Sequence, residues 1–145
     1  MRISNTAAVL LTGMVMSACA TYPHDGTNSP ANLVGQEWLV EDIAARGVID
    51  DARTTIFFGE DGRISGDTGC NSYFAKYQTT GNDLRFGTVG VTRRACAPAV
   101  MDQEQRFLDV FNAIGSYRID ASGTLILSTS KGATIVARRS SDPMM

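Results

Sequence analysis

The chain is predicted to be mainly β with one helix, an α+β fold made of a small twisted antiparallel sheet or a partly open β-barrel closed by one α-helix. Three observations predict it. Short β-branched and aromatic runs recur between Gly, Asn and Asp turns. Only residues 98–115 carry apolar side chains at sustained helical spacing. Behind an N-terminal leader, the rest of the 145-residue chain suffices for one domain with a modest core and is too short for two. The domain is placed at residues 33–139, with 140–145 as a C-terminal tail.

Residues 33–43, with Trp38, Leu39 and Val40, are expected to form the first strand, and residues 44–47 a loop. Thr54-Thr55-Ile56-Phe57-Phe58 is a β-branched and aromatic run. The turn Gly59-Glu60-Asp61-Gly62 joins it to Arg63-Ile64-Ser65-Gly66-Asp67, which predicts a hairpin. Tyr73, Phe74 and Tyr77, then Thr80-Gly81-Asn82-Asp83, then Leu84-Arg85-Phe86, predict a second. Towards the C-terminus, Tyr117-Arg118-Ile119, Leu125-Ile126-Leu127 and Thr134-Ile135-Val136-Ala137 alternate with turn residues and read as a three-stranded meander.

The helix is expected between Pro98 and Gly115. Met101, Glu104, Phe107, Leu108, Phe111 and Ile114 recur three and four residues apart, placing the apolar members on one face. Asp102, Gln103, Arg106 and Asp109 fall mainly on the other. Pro98 suits the first turn, where no N–H is needed, and Gly115 suits a left-handed stop. The helix closes one side or one end of the sheet. No internal repeat or low-complexity tract is visible.

The leader reads as an address. Arg2 precedes an apolar stretch of about ten residues, Ala7 to Met16, a length that suits a signal peptide rather than the ~20 residues of a spanning helix. Ser17 and Ala18 are small, and Met16-Ser17-Ala18-Cys19 looks like a bacterial lipobox with Met where Leu is commoner. Residues 1–18 are expected to be removed and Cys19 lipidated. The alternative is a secreted protein cut after Ala18 or Ala20 with an incidental cysteine. Acyl chains on Cys19 would hold the protein on a bilayer at about 0.8 kcal/mol per buried methylene. Ala20, rather than Asp, favours the outer membrane by resemblance to enteric lipoproteins. Residues 19–32 contain Pro23, Gly26, Asn28, Ser29 and Pro30 and read as a tether with an r.m.s. reach of roughly 20 Å.

With three cysteines in the chain and Cys19 assigned to lipid, Cys70 and Cys96 are left to form one disulfide in an oxidising compartment. The alternative is two buried free thiols. A net charge of -2 with basic residues scattered among acids gives no stripe for nucleic acid. The only histidine, His24, lies in the tether, far from any fixed serine or cysteine nucleophile. Cys70 and Cys96 without a histidine cluster make no zinc site, and no other metal site or cofactor is expected. Gly66-Asp67-Thr68-Gly69-Cys70-Asn71 lacks the Lys of a phosphate loop and the helix that follows one. Asp61, Asp67 and Asp83 read as turn formers, Asn71 as shaping the turn beside the bridge, and Arg93-Arg94 as solvated or touching a phospholipid headgroup. No catalytic residue is nominated, and the chain is expected not to be an enzyme.

Gly69-Cys70-Asn71-Ser72-Tyr73-Phe74-Ala75-Lys76-Tyr77 resembles the META domain family, that of HslJ-like heat-shock lipoproteins. The resemblance continues through Leu84-Arg85-Phe86, Thr92-Arg93-Arg94-Ala95-Cys96, Met101-Asp102-Gln103-Glu104, Phe107-Leu108, Tyr117 and Leu125-Ile126-Leu127, and back to Leu33-Val34-Gly35-Gln36-Glu37-Trp38. It covers residues 33–138. Ala97 intervenes before Pro98, where the family usually has Pro directly after the second cysteine. The resemblance implies a small barrel-like fold with one helix, in envelope proteins linked to heat shock and antibiotic tolerance, with no catalytic residues.

The expected function is a non-enzymatic envelope lipoprotein supporting stress tolerance. Its expected partners are the membrane, through lipid on Cys19, and an envelope protein or a lipid ligand; the sequence sets no oligomeric state. The alternative is a lipid carrier or pilotin-like secretion chaperone, for which Phe57, Phe107 and Phe111 are the nominated lining of a hydrophobic groove. A hydrolase of envelope polymers is a third class, without a clustered acid/base pair to support it.

Overall fold

The computed structural model describes residues 32–141. The leader, Cys19, the tether up to residue 31 and residues 142–145 lie outside the described residues. The strands are β1 (Glu37–Ile43), β2 (Thr55–Phe58), β3 (Arg63–Asp67), β4 (Ser72–Thr80), β5 (Asp83–Phe86), β6 (Gly90–Val91), β7 (Ile114–Ile119), β8 (Leu125–Thr129) and β9 (Thr134–Arg139). The helix, α1, spans Pro98–Phe111.

The sheet runs β3-β2-β1-β9-β8-β7-β5-β4-β6, and β3 also pairs with β4, so eight strands close into an antiparallel barrel with β6 alongside. This corrects the partly open alternative. Closure depends on pairings remote in sequence. β1 pairs with β9, Trp38 opposite Arg139 and Ile43 opposite Ile135. β5 meets β7 at Asp83 and Ser116, where Tyr117 N–H also donates to Asn82 O at 2.9 Å. The two hairpins and the C-terminal meander form as expected, because each turn is local.

The N-terminal boundary differs. Residues 33–36 precede β1 as a plug: Leu33 is fully buried, Trp38 Nε1 donates to its carbonyl at 3.2 Å, and Gly35 N–H donates to Phe58 O at 2.8 Å. Beyond β9, Ser140 N–H donates to Glu37 O at 2.8 Å, continuing the β1–β9 pairing by one residue. Short β6, unforeseen in the sequence, pairs Val91 with Tyr73 and Gly90 with Phe74.

Helix α1 ends four residues before Gly115. Asn112 caps it in the right-handed region, and Gly115 sits within β7 at an irregularity between Ile114 and Ser116. Phe107 and Phe111 enter the barrel from one end, where Tyr73 packs on both at centroid distances of 5.3 and 5.1 Å. Phe86 stacks on Phe111 at 4.0 Å. Alternation along the strands turns Trp38, Val40, Ile56, Phe58, Ile64, Leu125, Leu127 and Ile135 into the same core. The helix therefore closes one end and Leu33 the other.

Candidate binding groove

At the helix end, polar contacts bind α1 to the loops. Gln103 is 1 % exposed, accepts from Ile49 N–H at 2.7 Å, and donates to Ala52 O at 2.9 Å and Thr54 Oγ1 at 3.1 Å. Assigning Gln103 to the solvent face was wrong, because a helix that caps a barrel end touches loops on a second face. Glu104 accepts from the Thr68 hydroxyl and from Asn71 Nδ2, the latter at 3.1 Å. Asn71 Oδ1 accepts from Arg94 N–H at 2.7 Å and Thr92 Oγ1 at 3.0 Å. Asn71 thus ties the β3–β4 turn to the strap before α1, a wider role than shaping its own turn. The Cys70–Cys96 bridge joins the same two segments across a Cα–Cα distance of 5.9 Å. Met101, placed by periodicity on the apolar face, is exposed at the rim with its sulfur 3.7 Å from that of Cys70. These polar side chains serve one another.

The nominated groove residues are not brought together. Phe107 and Phe111 are fully buried in the core, whereas Phe57 lies on the barrel exterior. Strand alternation explains the separation: Ile56 and Phe58 point inward, so Phe57 points outward.

Phe57 instead lies opposite Ser65, Ser65 opposite Phe74, and Phe74 opposite Gly90, one row across β2, β3, β4 and β6. The small Ser65 leaves a valley between two aromatic rings. Phe74 is 64 % exposed, the most open large apolar side chain described. Its ring lies over Gly90, where an added Cβ would fall 2.5 Å from Phe74 Cζ, so glycine permits this close approach. The resulting groove of about 740 Å³ is also lined by Asp61, Arg63, Lys76 and Thr88. Arg63 and Lys76 face each other directly across β3 and β4. Asp61 lies 3.7 Å from Arg63, and Lys76 forms no ion pair among the described residues. Phe74 was in the sequence motif, but its exposure needed the register that fixes which face it occupies.

A second depression, of about 630 Å³ beside β1 and β9, contains charges that neutralise each other: Arg53 with Glu37 at 2.9 Å, and Arg138 with Glu41. Arg139 covers the Trp38 ring at 5.6 Å. On the β7–β8 turn, hydrogen bonds from the Ser122 side chain and the Thr124 and Ser122 N–H groups hold the Asp120 carboxyl below its ordinary range. Asp120 is a turn former with its acceptors occupied. Burial pushes the Tyr73 hydroxyl well above the usual range, with Asp67 adding to the effect, while the hydroxyl donates to Thr55 O at 2.9 Å. No helix among the described residues is long and apolar enough to cross a membrane.

Solved structures share this architecture. An NMR structure of a protein from Burkholderia xenovorans aligns with a TM-score of 0.66 and 26 % identity, over 92 % of this chain and 100 % of that one. A second NMR structure aligns with a TM-score of 0.60 and 24 % identity, over 76 % and 93 %. The crystal structure of a duf4847 family protein from Bacteroides vulgatus, 14 % identical, shares the fold with a TM-score of 0.55, over 78 % and 96 %. No curated protein matches the chain significantly. The META domain profile matches residues 31–142, which contain the whole barrel, its helix and the bridged cysteines. The chain belongs to the META domain family.

Proposed function

We propose that the chain is a non-enzymatic binding module of the bacterial envelope, anchored through lipid on Cys19 to the outer membrane and facing the periplasm, where it supports tolerance of envelope stress. The observation that supports this reading best is the division of the barrel into a filled interior and a grooved exterior. Trp38, Tyr73, Phe107 and Phe111 occupy the interior at 1 % exposure or less, so ligand contact falls on the outer face. There the groove between Phe57 and Phe74 offers apolar surface rimmed by two cations. The carrier alternative would need Phe107 and Phe111 to line a cavity, and both are consumed by core packing.

Metabolic labelling with palmitate tests the anchor. The wild-type chain is expected to take up label and sediment with membranes, and Cys19→Ser to do neither. Equal behaviour of the two would refute the reading.

A further inference from the structure

We infer that the Phe57–Phe74 groove docks on a bilayer bearing anionic headgroups, so that the lipidated protein lies with this face on its own membrane rather than swinging free. The inference rests on the lipid-anchored reading above and names the surface and partner it did not.

The first reason is where the chain enters the barrel. Gly35 N–H bonds to Phe58 O, one residue from Phe57 and next to the β2–β3 turn whose Gly59 and Asp61 line the groove. Asn32, where the tether joins, lies beside the β7–β8 turn, so the chain crosses the end of the barrel that also carries the β2–β3 turn, and the helix covers the opposite end. The thirteen Cα–Cα steps from Cys19 to Asn32 span at most about 45 Å when fully extended. A barrel of this size is roughly 30 Å across. An anchor of that reach holds the entry end next to the bilayer, and the helix end reaches it only by drawing the tether out along the barrel.

The second reason is charge. Like charges placed directly opposite on neighbouring strands disfavour one another. Arg63 and Lys76 are so placed, with the single carboxylate of Asp61 beside them. An anionic headgroup between them relieves the repulsion. The third is the apolar surface. Phe74 meets Gly90 with the far end of its ring and is largely exposed beside the cations, and an aromatic ring flanked by basic side chains suits the headgroup boundary of a bilayer. In the second depression Arg53 and Arg138 are held by Glu37 and Glu41, and Arg139 lies over the Trp38 ring.

The test uses the lipidated protein in vesicles, with F74W as the reporter against the constant signal of buried Trp38. In vesicles containing phosphatidylglycerol, F74W is expected to emit at shorter wavelength than in detergent-free buffer and to be quenched by brominated acyl chains. The control N112W, at the helix end, is expected to show neither effect. Each cation near an anionic surface biases docking by a factor of roughly five, so adding R63Q and K76Q is expected to lower the docked-to-free ratio roughly 30-fold. Zwitterionic vesicles are expected to dock the groove weakly. If the protein stays on the vesicles while F74W remains solvated and unquenched, docking is wrong and the anchor stands. If it never associates with vesicles, the anchored reading itself fails. Burial of F74W only on adding envelope proteins would overturn docking and assign the groove to a protein partner. Unfolding curves matching wild type are required of each variant.

Discussion

Replacing Gln103 with methionine preserves the length of a side chain that is 1 % exposed while deleting its polar atoms. Three partners are affected: Ile49 N–H, Ala52 O and Thr54 Oγ1. Thr54 retains its bond to Thr68 O at 3.1 Å and loses little. Ala52 O is left facing a thioether, whereas Ile49, exposed at 38 %, regains some water. With about 2 kcal/mol for the first and about 1 for the second, Q103M is expected to destabilise the domain by about 3 kcal/mol. That corresponds to a Tm lower by roughly 12 °C for a domain of this size. Urea unfolding followed by Trp38 fluorescence, with the disulfide intact, measures it. Q103E sharpens the test. Its carboxylate can still accept from Ile49 but has no proton for Ala52 O, and burial is expected to raise its pKa in the folded state. A folded pKa above the unfolded value of about 4.3 means stability present at low pH and lost as pH rises through the folded value. Relative to wild type at the same pH, Q103E should improve on acidification from pH 8 to 4. A Q103M loss below about 1 kcal/mol, or a pH-independent Q103E, would show that the contacts under the helix are incidental.

Removing the bridge by C70S/C96S frees a 26-residue separation and is expected to cost about 3.5 kcal/mol in urea unfolding, while the wild-type cysteines should resist thiol labelling without reductant. Gly66→Ala would place a Cβ 2.0 Å from Thr55 O, inside the barrel wall, and should lose about 3 kcal/mol or more. The outward Ser65→Ala, its neighbour, should stay within about 0.5 kcal/mol by the same thermal melt. Tyr73 must stay protonated when buried, its pKa raised by desolvation and then Asp67. Its stabilisation is therefore complete below the unfolded pKa of about 10 and falls above it, by up to ~1.4 kcal/mol per pH unit. Y73F should flatten that alkaline slope in stability curves and lose about 1 kcal/mol at neutral pH with the bond to Thr55 O.

What could be read from the chain was whatever short-range chemistry decides. The turn at residues 59–62 sets the β2–β3 hairpin and the turn at 80–83 sets the next, because neighbouring residues determine both pairings. The β1–β9 and β5–β7 contacts that close the barrel join residues far apart, with no local signal to announce them. The same distinction governs the groove. Phe74 stands in the motif that carries the family resemblance, yet its meaning depends on a register that sets it beside Ser65 on one strand and Gly90 on another. Phe57, nominated with Phe107 and Phe111 as the lining of one groove, lies on the opposite side of the sheet from both.

Helix α1 shows why a correct period can still give a wrong face. The spacing of Phe107, Leu108 and Phe111 identified the helix, and assigning the remainder to solvent assumed a helix lying along a sheet with one side covered. A helix set across a barrel end is covered twice, by the core beneath and by the loops around the rim. Its second contact surface is polar, because loop backbones present N–H and C=O groups that secondary structure has not paired. Gln103, able to donate and accept at once, meets the Ile49 N–H and the Ala52 carbonyl together. Glu104, acceptor only when ionised, meets the hydroxyl of Thr68 and the amide of Asn71. The adjacent pair Gln103-Glu104 is thus read by two different segments, the β1–β2 loop and the β3–β4 turn, and that division follows from hydrogen-bonding capacity rather than from hydropathy.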